Sequence, residues 1–313
     1  MPRAIQGEMP NRGNNPIAPL HDRPLIVAAT VTAIATYALV GLGSTVRVTH
    51  SGMGCPSWPL CYSQLGPIYR LHPILEESHR YLASIVTVLS IVTLMLSRKP
   101  GVSVPAKRFA KLAVGLVLFQ VFLGGLTVLA KNAPWTVAAH LITGFVYLGV
   151  TTATAVFAHQ NYEITSLSLE VKLWGGLSLL STLLLFLSGS IVVGSGAGAI
   201  CDTWPVCFAN GPGGLTAIAL FHRVMMGTAG LFILTFLSKC YKSASRPWRR
   251  RSWLLLVLLG FTVLVGAIVA ISKSEAFWAD IHLALGALVW VTLVVQVLTH
   301  LTIKDNAINT SFH

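Results

Sequence analysis

Apolar stretches long enough to cross a bilayer alternate along the chain with short polar segments. They fall at roughly 25–46, 79–97, 109–130, 135–158, 173–195, 215–238, 253–272 and 279–301. A hydrocarbon core of about 30 Å is crossed by a helix of about 20 apolar residues. The pattern therefore predicts an all-α integral membrane protein with eight transmembrane helices, a tail at 1–24, a linker at 159–172 and a second tail at 302–313. The first 24 residues carry Pro, Asn and Arg without a short apolar core, and a full span follows them, so no cleaved signal peptide is expected.

Composition agrees with this reading. Of the 313 residues, 54% are hydrophobic and 10% charged, and the mean hydropathy is +0.72, too apolar for an ordinary soluble domain. A net charge of +12 suits a nucleic-acid binder, but its distribution argues against one. Arg3, Arg12 and Arg23 precede the first span; Arg98, Lys99, Lys107, Arg108 and Lys111 lie between the second and third; Lys239, Lys242, Arg246, Arg249, Arg250 and Arg251 lie between the sixth and seventh. All these segments are on one side. The positive-inside rule makes that side cytoplasmic, with both termini there, and anionic membrane lipid becomes the expected partner of the basic loops.

The chain also repeats itself. GCPSWPLC at 54–61 and CDTWPVC at 201–207 share a cysteine pair around Trp-Pro, and an offset of 146 also superposes Gly43-Ser44 on Gly189-Ser190. SHR at 78–80 matches FHR at 221–223, and His140 matches His282, at offsets of 143 and 142. GGLTVLAKNAPWTVAAH resembles VGAIVAISKSEAFWADIH just upstream of those last two histidines. The expectation is two tandem four-helix bundles, 25–158 and 173–301. Four spans return the chain to its starting side, so the halves are parallel repeats, with both cysteine loops outside.

Histidines 79, 140, 222 and 282 then share one depth near the outer ends of spans two, four, six and eight. Each bundle offers one pair from facing helices, the arrangement that holds a cofactor in a bundle core. An interhelical hydrogen bond is the plain alternative for any one of them. Two histidines without a third His, Asp or Cys at matching depth make a poor zinc site and suit the two axial positions of a heme iron. Glu76 stands three residues before His79, on the same helical face, whereas Ala219 precedes His222. Glu76 is a candidate proton acceptor or electrostatic stabiliser; its plain role is a helix-end charge, which suits Glu77 better. Arg47, Arg80 and Arg223 are candidates for holding heme propionates or for snorkelling to headgroups. His21, His50, His72, His159, His300 and His313 read as surface histidines. Cys55 with Cys61, and Cys201 with Cys207, are on the oxidising side and each pair can close a disulfide. The second is expected to stiffen a capping loop, while structural and redox roles stay open for the first. Cys240 reads as a bystander.

Together these residues resemble the heme A synthase family. RVTHSG at 47–52 fits its R-x-T-x-S-G, EESHR at 76–80 fits its E-x-x-H-R, and the outer cysteine pairs and His140, His222 and His282 complete the likeness across 25–301. The resemblance implies a bacterial cytoplasmic-membrane enzyme that oxidises a methyl group of heme O to a formyl group in two hydroxylations. It implies the substrate heme O between His79 and His140, heme b as cofactor between His222 and His282, and Glu76 assisting oxidation. Heme O synthase, a terminal oxidase assembly factor and a membrane or soluble electron carrier are the implied partners. A di-heme b-type electron-transfer protein would use the same histidines but has no need of an acid on one side only. A quinone-linked disulfide-forming protein would explain the cysteines but leave four histidines idle.

Overall fold

The computed structural model describes residues 22–63, 69–159, 169–207, 213–242 and 244–301. Each expected run is a helix: α1 Arg23–Val48, α2 Leu71–Ser97, α3 Val104–Leu129, α4 Pro134–His159, α5 Leu169–Ser195, α6 Gly213–Tyr241, α7 Arg246–Ile271 and α8 Ala276–Leu301. All eight are long and apolar enough to cross a membrane. A short 3-10 turn, Ala197–Ala199, follows α5, and no strand occurs among the described residues. The protein is a multi-pass, all-α membrane protein.

The helix ends are written locally. Helices α1, α3 and α7 carry a proline in their first turn, where the missing N–H would have had no partner and the fixed φ already suits a helix. Ser103 and Ser245 cap α3 and α7, accepting at 3.4 Å from the N–H of Ala106 and Trp248. The turns joining α3 to α4 and α7 to α8 repeat each other. Lys131 and Asn132 (φ 52° and 57°) correspond to Lys273 and Ser274 (φ 56° and 64°). The Asn132 N–H reaches back to the Thr127 carbonyl at 2.9 Å, and the Ser274 N–H to that of Val269 at 2.8 Å, a left-handed helix closure. The two turns stand at the offset that relates His140 to His282.

The start of α2 departs furthest from expectation. Helix α2 starts at Leu71, eight residues before the apolar run at 79–97, so His79 lies in its third turn. Two glutamates dilute the hydropathy of this stretch, yet Pro73, Glu76 and Glu77 are all buried. Protein rather than lipid covers them, and a proline in the first turn costs the helix nothing.

In the first half α1 packs on α2 and α4, and α3 on α2 and α4; the second half follows the same order, with α6 and α7 meeting only lightly. Helices α4 and α8 are central: 61% and 44% of their spans are buried, against 17% to 28% for the others. Between them lies a seam of Phe145, Leu148, Ala287, Trp290 and Val294. The Trp290 indole donates to the Phe145 carbonyl at 2.8 Å, and Phe186 of α5 stacks on Phe145 with ring centroids 3.7 Å apart. Tyr37 of α1 donates to the Ala284 carbonyl at 3.2 Å, and Thr45 of α1 to Asp280 at 2.7 Å. The outward faces present Ile34, Val88, Phe122, Leu231, Val257 and Phe261, an apolar coat that fits lipid.

Candidate functional site

Each of the four histidines rests against a glycine of the neighbouring helix. A Cβ added to Gly43 of α1 would lie 3.0 Å from His79 Cε1, and one on Gly124 of α3 would lie 3.6 Å from His140 Cε1. In the second half a Cβ on Gly189 of α5 would lie 3.2 Å from His222 Cε1, and one on Gly266 of α7 would lie 2.8 Å from His282 Cε1. Glycine is what lets each ring occupy the space between two helices. His79 and His140 are within electrostatic reach of each other, as are His222 and His282. The third turns of α2 and α6 and the second turns of α4 and α8 carry them.

The two pairs are held differently. His222 Nδ1 meets the Ser188 hydroxyl at 2.8 Å, and His282 Nδ1 meets the Thr262 carbonyl at 3.0 Å. His79 Nδ1 and His140 Nδ1 are buried without a hydrogen-bond partner among the described residues. No group of three His, Cys, Asp or Glu able to hold a metal ion occurs among the described residues, which leaves zinc poorly served. Two ring nitrogens from facing helices, with glycine clearing the space beside each ring, fit the axial positions of a heme iron.

The two cysteine loops are tied to α2 and α6 beside these pairs. Cys55 and Cys61 form one disulfide, with Cα atoms 4.7 Å apart; Cys201 and Cys207 form the other, at 5.2 Å. Glu76 sits directly beneath the first loop, 5% exposed. One of its oxygens accepts the Cys55 N–H at 2.8 Å and the other accepts from Arg80 at 2.6 Å. Arg80 also donates to the carbonyls of Cys55 at 3.1 Å, Ser57 at 2.9 Å and Pro59 at 3.2 Å. Arg223 holds the second loop more simply, through the Pro205 carbonyl at 2.8 Å, and Ala219, the counterpart of Glu76, packs under Cys201 and Cys207. Both arginines therefore clamp loop backbone. The Trp58 ring lies against α3, where a Cβ on Gly125 would be 3.0 Å from it.

The remaining sequence candidates take their places around this frame. Arg47 is half-buried in the last turn of α1. The hydroxyls of RVTHSG close that helix end: Thr49 donates to the Thr45 carbonyl at 2.6 Å, and Ser51 bonds Thr49 at 2.7 Å and His72 at 2.9 Å. Glu77 is buried as well and accepts from Tyr81 at 2.8 Å. His50, His72 and His159 are exposed. His300 is not: it is 7% exposed and packs 5.2 Å from the Trp248 ring, so its surface reading is wrong. The helix ends where hydropathy places it, but Phe236 of α6 and Trp248 of α7 pack over the ring and cover it. Cys240 is buried in the same cluster. His21 and His313 lie outside the described residues.

Asp280 was missed by sequence reasoning. It stands two residues before His282, which turns it about 200° away from that histidine at 100° per residue and into the seam between the halves. One oxygen accepts from Thr45, while the other is buried without a partner among the described residues. An acid in the otherwise apolar opening of the last span was the available signal.

Comparison with known proteins follows the same lines. The family model described as "Cytochrome oxidase assembly protein" matches residues 27–72 and 71–294. The chain is 29% identical over 273 residues to a heme A synthase of Geobacillus thermodenitrificans, covering 82% of this chain and 84% of the relative. It is 27% identical over 249 residues to a heme A synthase of an Exiguobacterium species, covering 77% and 81%. A heme A synthase of Symbiobacterium thermophilum is 27% identical over 284 residues, covering 83% and 89%. With a family match that runs through all eight helices and both histidine pairs, the chain belongs to the cytochrome oxidase assembly protein family COX15-CtaA.

Proposed function

We propose that this protein is a heme A synthase, which oxidises the methyl substituent of heme O to a formyl group by way of the alcohol and the hydrated aldehyde. The observation that carries this reading is the doubled histidine pair on glycine seats, with an acid under only one of the two loops. The halves 25–158 and 173–301 divide the work: His79 and His140 hold the substrate heme O, and His222 and His282 hold heme b. When bound, the two irons supply the redox chemistry, with electrons leaving through the second half to a carrier. The protein's own residues orient and enclose. Lipid-sealed helices and the disulfide loops enclose the substrate edge, and the Arg80 clamp fixes the loop above it; with electrons passing to a carrier, each hydroxylation takes its oxygen from one water molecule and releases two electrons and two protons. Oxidising a methyl carbon releases protons, and Glu76 is the carboxylate on the His79 face that can take them. The loops face outward and both termini inward, with the basic inner segments against anionic lipid.

The test is to purify the protein from cells that make heme O, extract its hemes and identify them by mass, then add heme O to the purified enzyme with an oxidised carrier. The formyl and hydroxymethyl hemes are expected beside heme b. Two equivalents of heme b per chain and no oxidised product would establish the di-heme electron carrier in its place.

A further inference from the structure

Proton accounting separates the two histidine pairs more sharply than their positions do. An imidazole that ligates iron through Nε2 carries its proton on Nδ1, and what that N–H meets fixes the tautomer and the ring orientation. The Ser188 hydroxyl has one proton, and it is committed to the Leu185 carbonyl at 2.7 Å. Ser188 Oγ therefore meets His222 as an acceptor, and His222 Nδ1 is the donor across 2.8 Å. The Thr262 carbonyl can only accept, so His282 Nδ1 is the donor across 3.0 Å. Both second-half rings are locked with Nε2 bare. Neither Nδ1 of the first half has a partner among the described residues, so no hydrogen bond there selects a tautomer or adds to what packing does to hold the ring.

For His222 the difference is encoded in sequence. The 146-residue offset that brings Gly43 onto Gly189 places Leu42 where Ser188 stands, so SGS of α5 is LGS in α1. At the offset of 142 the counterpart of Thr262 is Gln120, whose main-chain carbonyl is equally present but does not meet His140 Nδ1. The Gln120 side-chain amide donates to the His140 carbonyl at 3.2 Å and to the Thr143 hydroxyl at 2.6 Å, bracing α4 rather than the ring.

We infer that the Nδ1 anchors, Ser188 Oγ and the Thr262 carbonyl, are what make the second-half heme resident, and that their absence from His79 and His140 leaves the first-half heme free to exchange. This rests on the proposed placement of heme b. Ser188 is a positioning residue: it acts on iron through His222. An Nδ1–H donated to an acceptor makes the ligand more basic and holds ferric iron more firmly.

The experiment measures transfer of heme b from the purified holoprotein to excess apomyoglobin, together with the midpoint potential of the bound heme. Ser188→Ala is expected to speed heme loss by about tenfold, the lower end of what removing such an outer partner costs in metal affinity, and to raise the potential. Ser188→Thr keeps the acceptor oxygen and should restore both. Leu42→Ser, in the opposite direction, should slow release of added heme O from the first half. An unchanged loss rate and potential in Ser188→Ala, with a resident bis-histidine heme in the parent protein, overturns the inference. If His222→Ala leaves the spectrum of the resident heme unchanged, the placement of heme b is what fails.

Discussion

The glycine seats make a graded prediction that rests on the proposed placement of the two hemes. A Cβ at Gly266 would lie 2.8 Å from His282 Cε1, against an ordinary contact distance of 3.4 Å or more. The ring must therefore retreat by about 0.6 Å, while its Nδ1 is tied to the Thr262 carbonyl. Overpacking of this kind costs about 1–3 kcal/mol, and at 1.4 kcal/mol per tenfold this weakens heme b retention by between about fivefold and about 150-fold. Gly189→Ala, at 3.2 Å, should do less on the same scale. In the first half Gly43→Ala, at 3.0 Å, should impair heme O binding, whereas Gly124→Ala, at 3.6 Å, should be close to neutral. Gly260, on the same helix as Gly266, has nothing within 4 Å of an added Cβ and serves as the control. Heme content per chain and the bis-histidine spectrum are the readouts, with thermal unfolding of the apoprotein measured alongside. Alanine is the better helix former by roughly 0.8–1.0 kcal/mol, which offsets part of the overpacking cost, so apoprotein stability should fall by no more than about 2 kcal/mol while heme is lost. If Gly266→Ala keeps heme as the parent does, or Gly124→Ala harms the first half as much as Gly43→Ala, the steric reasoning is wrong.

Glu76→Gln should let heme O bind but slow its oxidation by about 100-fold or more, the usual worth of a positioned base, with heme O or its alcohol accumulating; Glu77→Gln should do much less, and a normal rate in Glu76→Gln reduces that acid to a loop anchor. Replacing Cys201 and Cys207 by Ser should lower thermal stability by up to about 2 kcal/mol, the chain-entropy value for so short a loop, with turnover largely kept. Complete loss of turnover with heme b still bound would instead assign that pair redox chemistry. Arg80→Gln removes the donors to three loop carbonyls, so hydrogen exchange across 55–61 should accelerate. Arg80→Lys should rescue little, since a point charge cannot serve several fixed acceptors; full rescue would mean that charge alone holds the loop.

Much of this architecture was legible before any coordinates. Length and hydropathy are enough to mark eight spans, because lipid forces every backbone group to be satisfied within a helix. Repetition, at offsets of 143 and 142, was enough to match the histidines between the halves. The start of α2 was not legible, because hydropathy reports what lipid would tolerate and Glu76 and Glu77 are covered by protein. Gly43 and Gly189 were visible only as matching letters. Their role as seats depends on the rotational phase of two packed helices, which no spacing along one chain reveals. Ser188 and Asp280 were missed for the same reason: each meets its partner across a helix interface, one at His222 and the other at Thr45.

The seam between the halves has a consequence for the linker. In lipid, apolar side chains gain little by preferring each other over acyl chains, so association rests on fitted packing and interhelical hydrogen bonds. Here those are specific: the Trp290 indole on the Phe145 carbonyl, Tyr37 on Ala284, Thr45 on Asp280, and Phe186 stacked into the joint. Geometry between the two sites is thus set by α1, α4, α5 and α8, and the covalent connection across 160–168 contributes effective concentration. A chain cut there and co-expressed as two polypeptides should reassemble in the bilayer into the same eight-helix unit.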